Sequence, residues 1–135
     1  MFIIYVFGDL QESLVWNEVR SLSAASLRAG NAPGVYLIGG LHEKSGIPML
    51  YEWVYVGRSN SLGRRLTEHL PANEQNPQLR TWLRTAGNVL VARFAVTTLP
   101  DSISLERHLV RTLTPKHNRI AFKNGEDYEH TSQYA

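Results

Sequence analysis

The sequence predicts one mixed α/β domain, and three observations carry that expectation. Strand-forming runs at Val35 to Ile38 and Met49 to Val56 read as the two arms of a long antiparallel hairpin. Leucines at helical spacing follow it, first Leu62, Leu66 and Leu70, then Leu79 and Leu83 beside Trp82. A further strand over 88–99 leads into a last helix that stops ahead of Pro115. A chain of 135 residues is long enough for one modest core.

Residues 2–7 read as a strand. Over 11–29, Val15, Val19 and Leu22 fall on one helical face, within a polar mix that gives little further signal. Asn31-Ala32-Pro33-Gly34 is a turn signal. Between the hairpin arms, Gly39 to Pro48 reads as a loop, with Gly39-Gly40 and Ser45-Gly46 as its turns. Strand alternation would put Leu50, Glu52, Val54 and Val56 on one face and Tyr51, Trp53 and Tyr55 on the other. Ser61 suits the N-cap of a helix to about Leu70, which Pro71 ends. A second helix spans Gln78 to Ala86 and ends at Gly87. On the strand 88–99, Val89, Val91 and Ala95 oppose Leu90, Phe94 and Val96. Asp101 or Ser102 caps the last helix, to Leu113. The domain is expected over 33–122, with 1–32 packed on it as an extension and a polar, fraying tail at 123–135.

Composition excludes several chemistries. With no cysteine, disulfides, zinc ribbons and thiolate nucleophiles are ruled out. The run Phe2 to Phe7 is too short to span a bilayer, and it lacks the basic start and cleavage site of a signal peptide. A cytoplasmic location is therefore the expectation. Net charge is only +2, but Arg58, Arg64, Arg65, Arg80, Arg84 and Arg93 cluster within one stretch. A second basic run holds Arg107, Arg111, Lys116, Arg119 and Lys123. Planar guanidinium donors suit paired phosphate oxygens, whereas the plainer reading is a solvated helix face.

Within this frame, a few residues have the makings of a site. Tyr36 follows Gly34-Val35, and Tyr55 precedes Val56-Gly57. Each phenol alone is ordinary strand packing. Converging near arginines and a metal, they would have a lowered pKa and could take a proton from water. Arg65 and His69 are one turn apart on a helix, on the border of its leucine stripe. They read either as an exposed pair or as a phosphate clamp with an acid–base partner. Glu106 falls inside the apolar arc of Leu105, Leu109, Val110 and Leu113. It is either a carboxylate favoured by the helix macrodipole or a ligand for a hard cation. Asn118 suits a turn, or a hydrogen bond to a phosphate or to Glu106.

In this order the blocks resemble the GIY-YIG nuclease superfamily, over about Gly34 to Asn118. Gly34-Val35-Tyr36 and Tyr55-Val56-Gly57 are similar to its two signatures. Tyr55 to Leu66 resembles its strand-to-helix block, with Arg65 at the position of the essential arginine. Ser104 to Asn118 resembles its last block, closest to the excision-repair branch, with Glu106 on the metal-ligand position.

The resemblance implies a sandwich with a central three-stranded antiparallel sheet flanked by helices, plus an N-terminal strand and helix. It implies a DNA endonuclease that hydrolyses phosphodiesters to 5′-phosphate and 3′-hydroxyl ends. Magnesium, or manganese in its place, would be the cofactor. By the same resemblance Tyr36 is general base, Tyr55 orients water or phosphate, and Arg65 offsets transition-state charge. His69 assists Tyr36 or the leaving group, and Glu106 holds the metal. Arg58, Arg64, Lys116 and Asn118 contact DNA or support the site. Several relatives carry lysine where Arg58 stands, so Arg58 acts by charge alone. The connection between the two tyrosines is longer than usual, as a DNA-contacting or dimerising flap or a tolerated surface loop. A nucleic-acid-binding module without turnover is the alternative function. A homodimer or an accessory specificity subunit is left open as partner, and no membrane is expected.

Overall fold

Ten short elements alternate along the chain, and a computed structural model describes them over residues 2–5 and 14–118. They are β1 (Phe2–Tyr5), β2 (Leu14–Val19), α1 (Leu22–Ala29), β3 (Gly34–Lys44), β4 (Ile47–Ser59), α2 (Leu62–Glu68), α3 (Pro77–Ala86), a 3₁₀ turn (Gly87–Val89), β5 (Leu90–Val96) and α4 (Leu99–Leu113). The end of the expected first strand (6–7), the chain beyond Asn118 and the tail at 123–135 lie outside the described residues.

The sheet is antiparallel and has five strands in the order β1-β2-β5-β3-β4. The expected three, β5-β3-β4, form one side of it. Among the described residues the N-terminal extension supplies the other two, one strand more than the single strand expected of it. Leu14–Val19 is a strand, not part of a helix. Its buried Leu14, Trp16 and Val19 face the layers of the protein, while Val15 is exposed. Ser21 then caps α1, accepting from the Ala24 N–H at 3.1 Å.

The supposed loop at 39–48 is another correction. Strands β3 and β4 continue through it and turn only at Ser45-Gly46, both at positive φ (54° and 77°). Two such residues make the tight turn whose twist matches the flanking strands. Pairing runs Tyr36↔Gly57 and Ile38↔Tyr55, then skips to Gly39↔Trp53. Val54 is thus the extra residue of a β-bulge. The bulge reverses the faces expected from strict alternation. Val54 and Tyr55 enter one core layer, while Trp53 packs with Val56 against the other.

These two layers cover opposite faces of the sheet. One joins Tyr36, Ile38, Val54, Tyr55 and Phe94 to Leu22 and Ala25 of α1, Leu62 and Leu66 of α2, and Leu79 and Leu83 of α3. The other joins Val35, Leu37, Val56 and Ala95 to Leu105, Leu109 and Val110 of α4. The split of β5 into Phe94 and Ala95 sides follows its alternation. Gly63 lets α1 and α2 touch, for a Cβ there would stand 2.6 Å from the Gly30 carbonyl oxygen. Helix α3 begins at Pro77, with Asn76 accepting from Gln78 and Leu79 N–H at 3.1 and 3.2 Å. Helix α4 starts earlier than expected, and Thr98 rather than Asp101 or Ser102 caps it. Ser61 occupies the N-cap of α2 but makes no side-chain capping bond. None of the helices among the described residues is long and apolar enough to cross a membrane.

Candidate active site at the end of the edge strand

The site forms where β3 and β4 run side by side toward α2. Gly57 stands opposite Tyr36 in the register, and the Tyr36 phenol lies directly across it. A Cβ on Gly57 would collide with the Tyr36 hydroxyl. This gives the glycine of the second signature a physical reason: it makes room for the tyrosine of the first. Gly57→Ala is expected to cost about 1–3 kcal/mol of stability, the range for overpacking a filled core. Chemical denaturation would read the loss, and an unchanged midpoint would mean that the phenol has room to move aside.

From that position the Tyr36 hydroxyl meets His69 Nε2 at 2.6 Å. Tyr55 stacks beside it, with ring centroids 6.1 Å apart, and presents its ring to the His69 edge at 4.9 Å. His69 lies just past the end of α2, and its Nδ1 bonds the Glu74 carboxylate. A continuous phenol–imidazole–carboxylate chain results. Tyr36 and His69 are fully buried, and Glu74 is 5% exposed. His69 is therefore not half of an exposed pair. Glu74 was not among the residues singled out in the sequence. It stands beyond Pro71, in a stretch with no helical or strand period to give it a direction. Its other oxygen accepts from the Asn76 N–H at 2.9 Å, and Asn76 in turn caps α3.

Arg65 enters from α2, 5% exposed, and bonds Glu68 at 2.9 Å. Its guanidinium also hydrogen-bonds Tyr55 and acts on Tyr36 by charge. Arg65 does lower both phenol pKa values, as expected of a nearby arginine, but its charge alone does not prevail. Burial outweighs Arg65 and pushes both hydroxyls above their ordinary value of 10, Tyr36 well above it. Burial also holds His69 below 6.5, against the pull of Glu74. Glu74 stays below 4.5, because the His69 and Asn76 hydrogen bonds overcome its desolvation. At neutral pH the chain is thus phenol, neutral imidazole and carboxylate.

Glu106 lies on α4, the helix of the opposite layer. Helix α4 packs on the far face from α2, so the phenols and the acid do not share one face of the sheet. Arg58, on the Val56 side of β4, brings its Nε within 3.7 Å of Glu106 Oε1. The Glu106 charge still opposes ionisation of both Tyr36 and Tyr55. The expectation of one common pocket on one face is therefore not met: the acid and the phenols flank the sheet from opposite faces, and charge is what links them. Glu106 is 2% exposed, and its Oε2 has no hydrogen-bond partner. Burial raises its pKa from 4.5 to about 8, against the lowering pull of Arg58 and Arg107. The macrodipole explanation does not hold, because α4 begins at Leu99 and its first-turn acid is Asp101.

The remaining expected residues make contacts within the protein. Asn118 clasps Val56 on the free edge of β4, accepting its N–H at 3.0 Å and donating to its carbonyl at 2.9 Å. It pins the strand that carries Tyr55 and Arg58. Arg64 bonds Glu68 at 2.9 Å on the surface of α2. Lys116 is exposed, 3.8 Å from Glu52. Within the arginine cluster, Arg58, Arg64, Arg65 and Arg93 each pair with a carboxylate of the protein itself.

Among the described residues no group of three or more histidines and carboxylates would cage a metal. A single-carboxylate site is the remaining type, and the bare, buried Glu106 Oε2 suits it. A hard cation is commonly held by one or two carboxylates, completed by waters and substrate phosphate.

No family model matches the sequence, and no curated protein matches it. Solved structures do match. The GIY-YIG N-terminal endonuclease domain of UvrC from Thermotoga maritima is similar at 22% identity in a tyrosine-to-phenylalanine mutant, over 73% of this chain and 96% of that one, with a TM-score of 0.50. A second such mutant matches at 23% identity and an asparagine-to-alanine mutant at 22%, with the same coverage and TM-score. All three are bound to the catalytic divalent cation. The fold of this chain is that of the GIY-YIG domain, with β1 and β2 widening the sheet.

Proposed function

We propose that this chain is a divalent-metal-dependent endonuclease that hydrolyses DNA phosphodiesters to 5′-phosphate and 3′-hydroxyl ends. The observation that carries this reading is Glu106, a buried carboxylate with one oxygen bare, whose charge bears on two phenols that lie beside a guanidinium. A carboxylate so placed costs several kcal/mol, on the order of what a bound cation offsets. When bound, magnesium or manganese would supply charge stabilisation to the phosphoryl oxygens.

The chain's own residues divide the remaining work. Tyr36 takes the proton of the attacking water. Its raised pKa leaves almost no phenolate in advance, so its own proton must depart as the new one arrives. The His69 Nε2 at 2.6 Å is the acceptor in place. Of the two duties open to His69, assisting Tyr36 is the one this geometry supports. Tyr55 orients water or phosphate beside Arg65. Arg65 offsets charge on the pentacoordinate phosphorus, where a preorganised donor does most. Arg58 eases ionisation of Glu106 by charge without overcoming its burial, and Asn118 fixes the edge of the strand that carries Arg58.

Supercoiled plasmid with magnesium tests the reading. The wild type is expected to relax or linearise it. Tyr36→Phe is expected to cut about 10²–10⁴ times more slowly, the range for general acid–base assistance. Equal cutting by both would point to a contaminant. Salt-sensitive binding without any cutting would favour a nucleic-acid-binding module instead.

A further inference from the structure

The carboxylate at the far end of the buried chain carries an inference of its own, which rests on the hydrolytic reading above. Imidazole has two tautomers, and only one lets Nε2 accept from Tyr36. We propose that Glu74 is a positioning residue for the hydrolysis: its carboxylate holds His69 with the proton on Nδ1, so that Nε2 is open to the Tyr36 proton.

Three observations support it. The carboxylate cannot turn away, because Oε1 accepts the Asn76 N–H at 2.9 Å while Oε2 lies against Nδ1. Arg80 donates to the Glu74 carbonyl at 3.2 Å, so the backbone is held as well. The cluster is closed, with His69 fully buried, and no solvent competes for either ring nitrogen. The groups facing His69 are Tyr36 from β3, Tyr55 from β4, Arg65 and Glu68 from α2, and Glu74 ahead of α3. Of these, only the carboxylate of Glu74 contacts Nδ1.

The proton account closes. An O–H bond of the attacking water breaks and its proton passes to the Tyr36 oxygen. The Tyr36 proton passes to His69 Nε2, and the imidazolium so formed lies against the Glu74 carboxylate. The water oxygen bonds phosphorus as the bond to the 3′-oxygen breaks, and that oxygen takes a proton from solvent. The imidazolium then gives its proton up through Tyr36, and the chain is reset.

Glu74→Gln in the full chain separates this role from mere packing. The shape is kept, but the Asn76 N–H claims the new amide's oxygen, which leaves its NH₂ facing His69 Nδ1. The ring must then carry its proton on Nε2, where it can no longer accept from Tyr36. Turnover of plasmid is expected to fall about a hundredfold or more with KM little changed, as for loss of a general base. Nitrogen NMR of the wild type should show His69 protonated at Nδ1, and Glu74→Gln should reverse the two ring nitrogens. Tyr36→Phe added to Glu74→Gln should lose little more than either alone, because the two act as one unit. A wild type that cuts, beside a Glu74→Gln that cuts as well, overturns the inference and leaves the hydrolytic reading intact. A wild-type His69 protonated on Nε2 also overturns it. A wild type that never cuts overturns the hydrolytic reading, and the inference with it.

Discussion

Glu106→Gln is expected to slow magnesium-dependent cleavage severely and, in the absence of metal, to make the protein more stable at high pH. The two effects have one cause. Burial lifts the Glu106 pKa from 4.5 to about 8. A carboxyl whose folded pKa is raised stabilises the fold fully below its unfolded value. That contribution is lost as pH rises through 8, where the native state must hold a buried anion. Glutamine never ionises, so the variant avoids the loss. Above pH 8 its melting temperature in chelator should exceed that of the wild type, and below pH 4.5 the two should agree. Added magnesium should raise the melting temperature of the wild type alone. Its apparent affinity should fall about tenfold per pH unit below 8, as protons compete for the carboxylate. Cleavage should drop by about a thousandfold, the upper end of what one charge-stabilising group contributes. A variant that still gains stability from magnesium would remove Glu106 as the metal ligand.

The two signatures were legible because each is a local pattern. Gly34-Val35-Tyr36 and Tyr55-Val56-Gly57 are strand-forming triplets, and antiparallel pairing places Tyr36 against Gly57. The burial of Glu106 was legible as well, since helical projection needs only the leucines around it. What sequence could not show was set by long-range pairing. Val15, Val19 and Leu22 happen to have helical spacing, but β5 was available to pair with Leu14–Val19 as a strand. Gly39-Gly40 reads as a turn, yet Gly39 sits at the bulge where β3 lies against Glu52 and Trp53 of β4. That single bulge sends Tyr55 and Trp53 to opposite layers. Glu74 was invisible for a similar reason: its meaning is a contact with His69, made after the chain has turned at Pro71.

Arg65→Met is expected to reduce turnover about 10²–10³-fold, the magnitude for losing one preorganised donor, while leaving the fold as stable or more so. The stability half follows from how the ion pair is buried. Arg65 is 5% exposed, but Glu68 keeps 44% side-chain exposure. Removing the arginine therefore strands no buried charge, since Glu68 can be hydrated where it stands. Methionine fills much of the same volume, and replacing a buried ion by an apolar side chain is often neutral or stabilising. Arg65→Lys keeps the charge but not the planar fork that reaches Tyr55 and Glu68 together, and burial tends to neutralise a lysine. It should recover little activity. Thermal melting and plasmid turnover on the two variants measure both halves. Unchanged turnover in Arg65→Met would take Arg65 out of the chemistry. A guanidinium whose loss strengthens the fold and stops the reaction is there for the phosphate, not for the core.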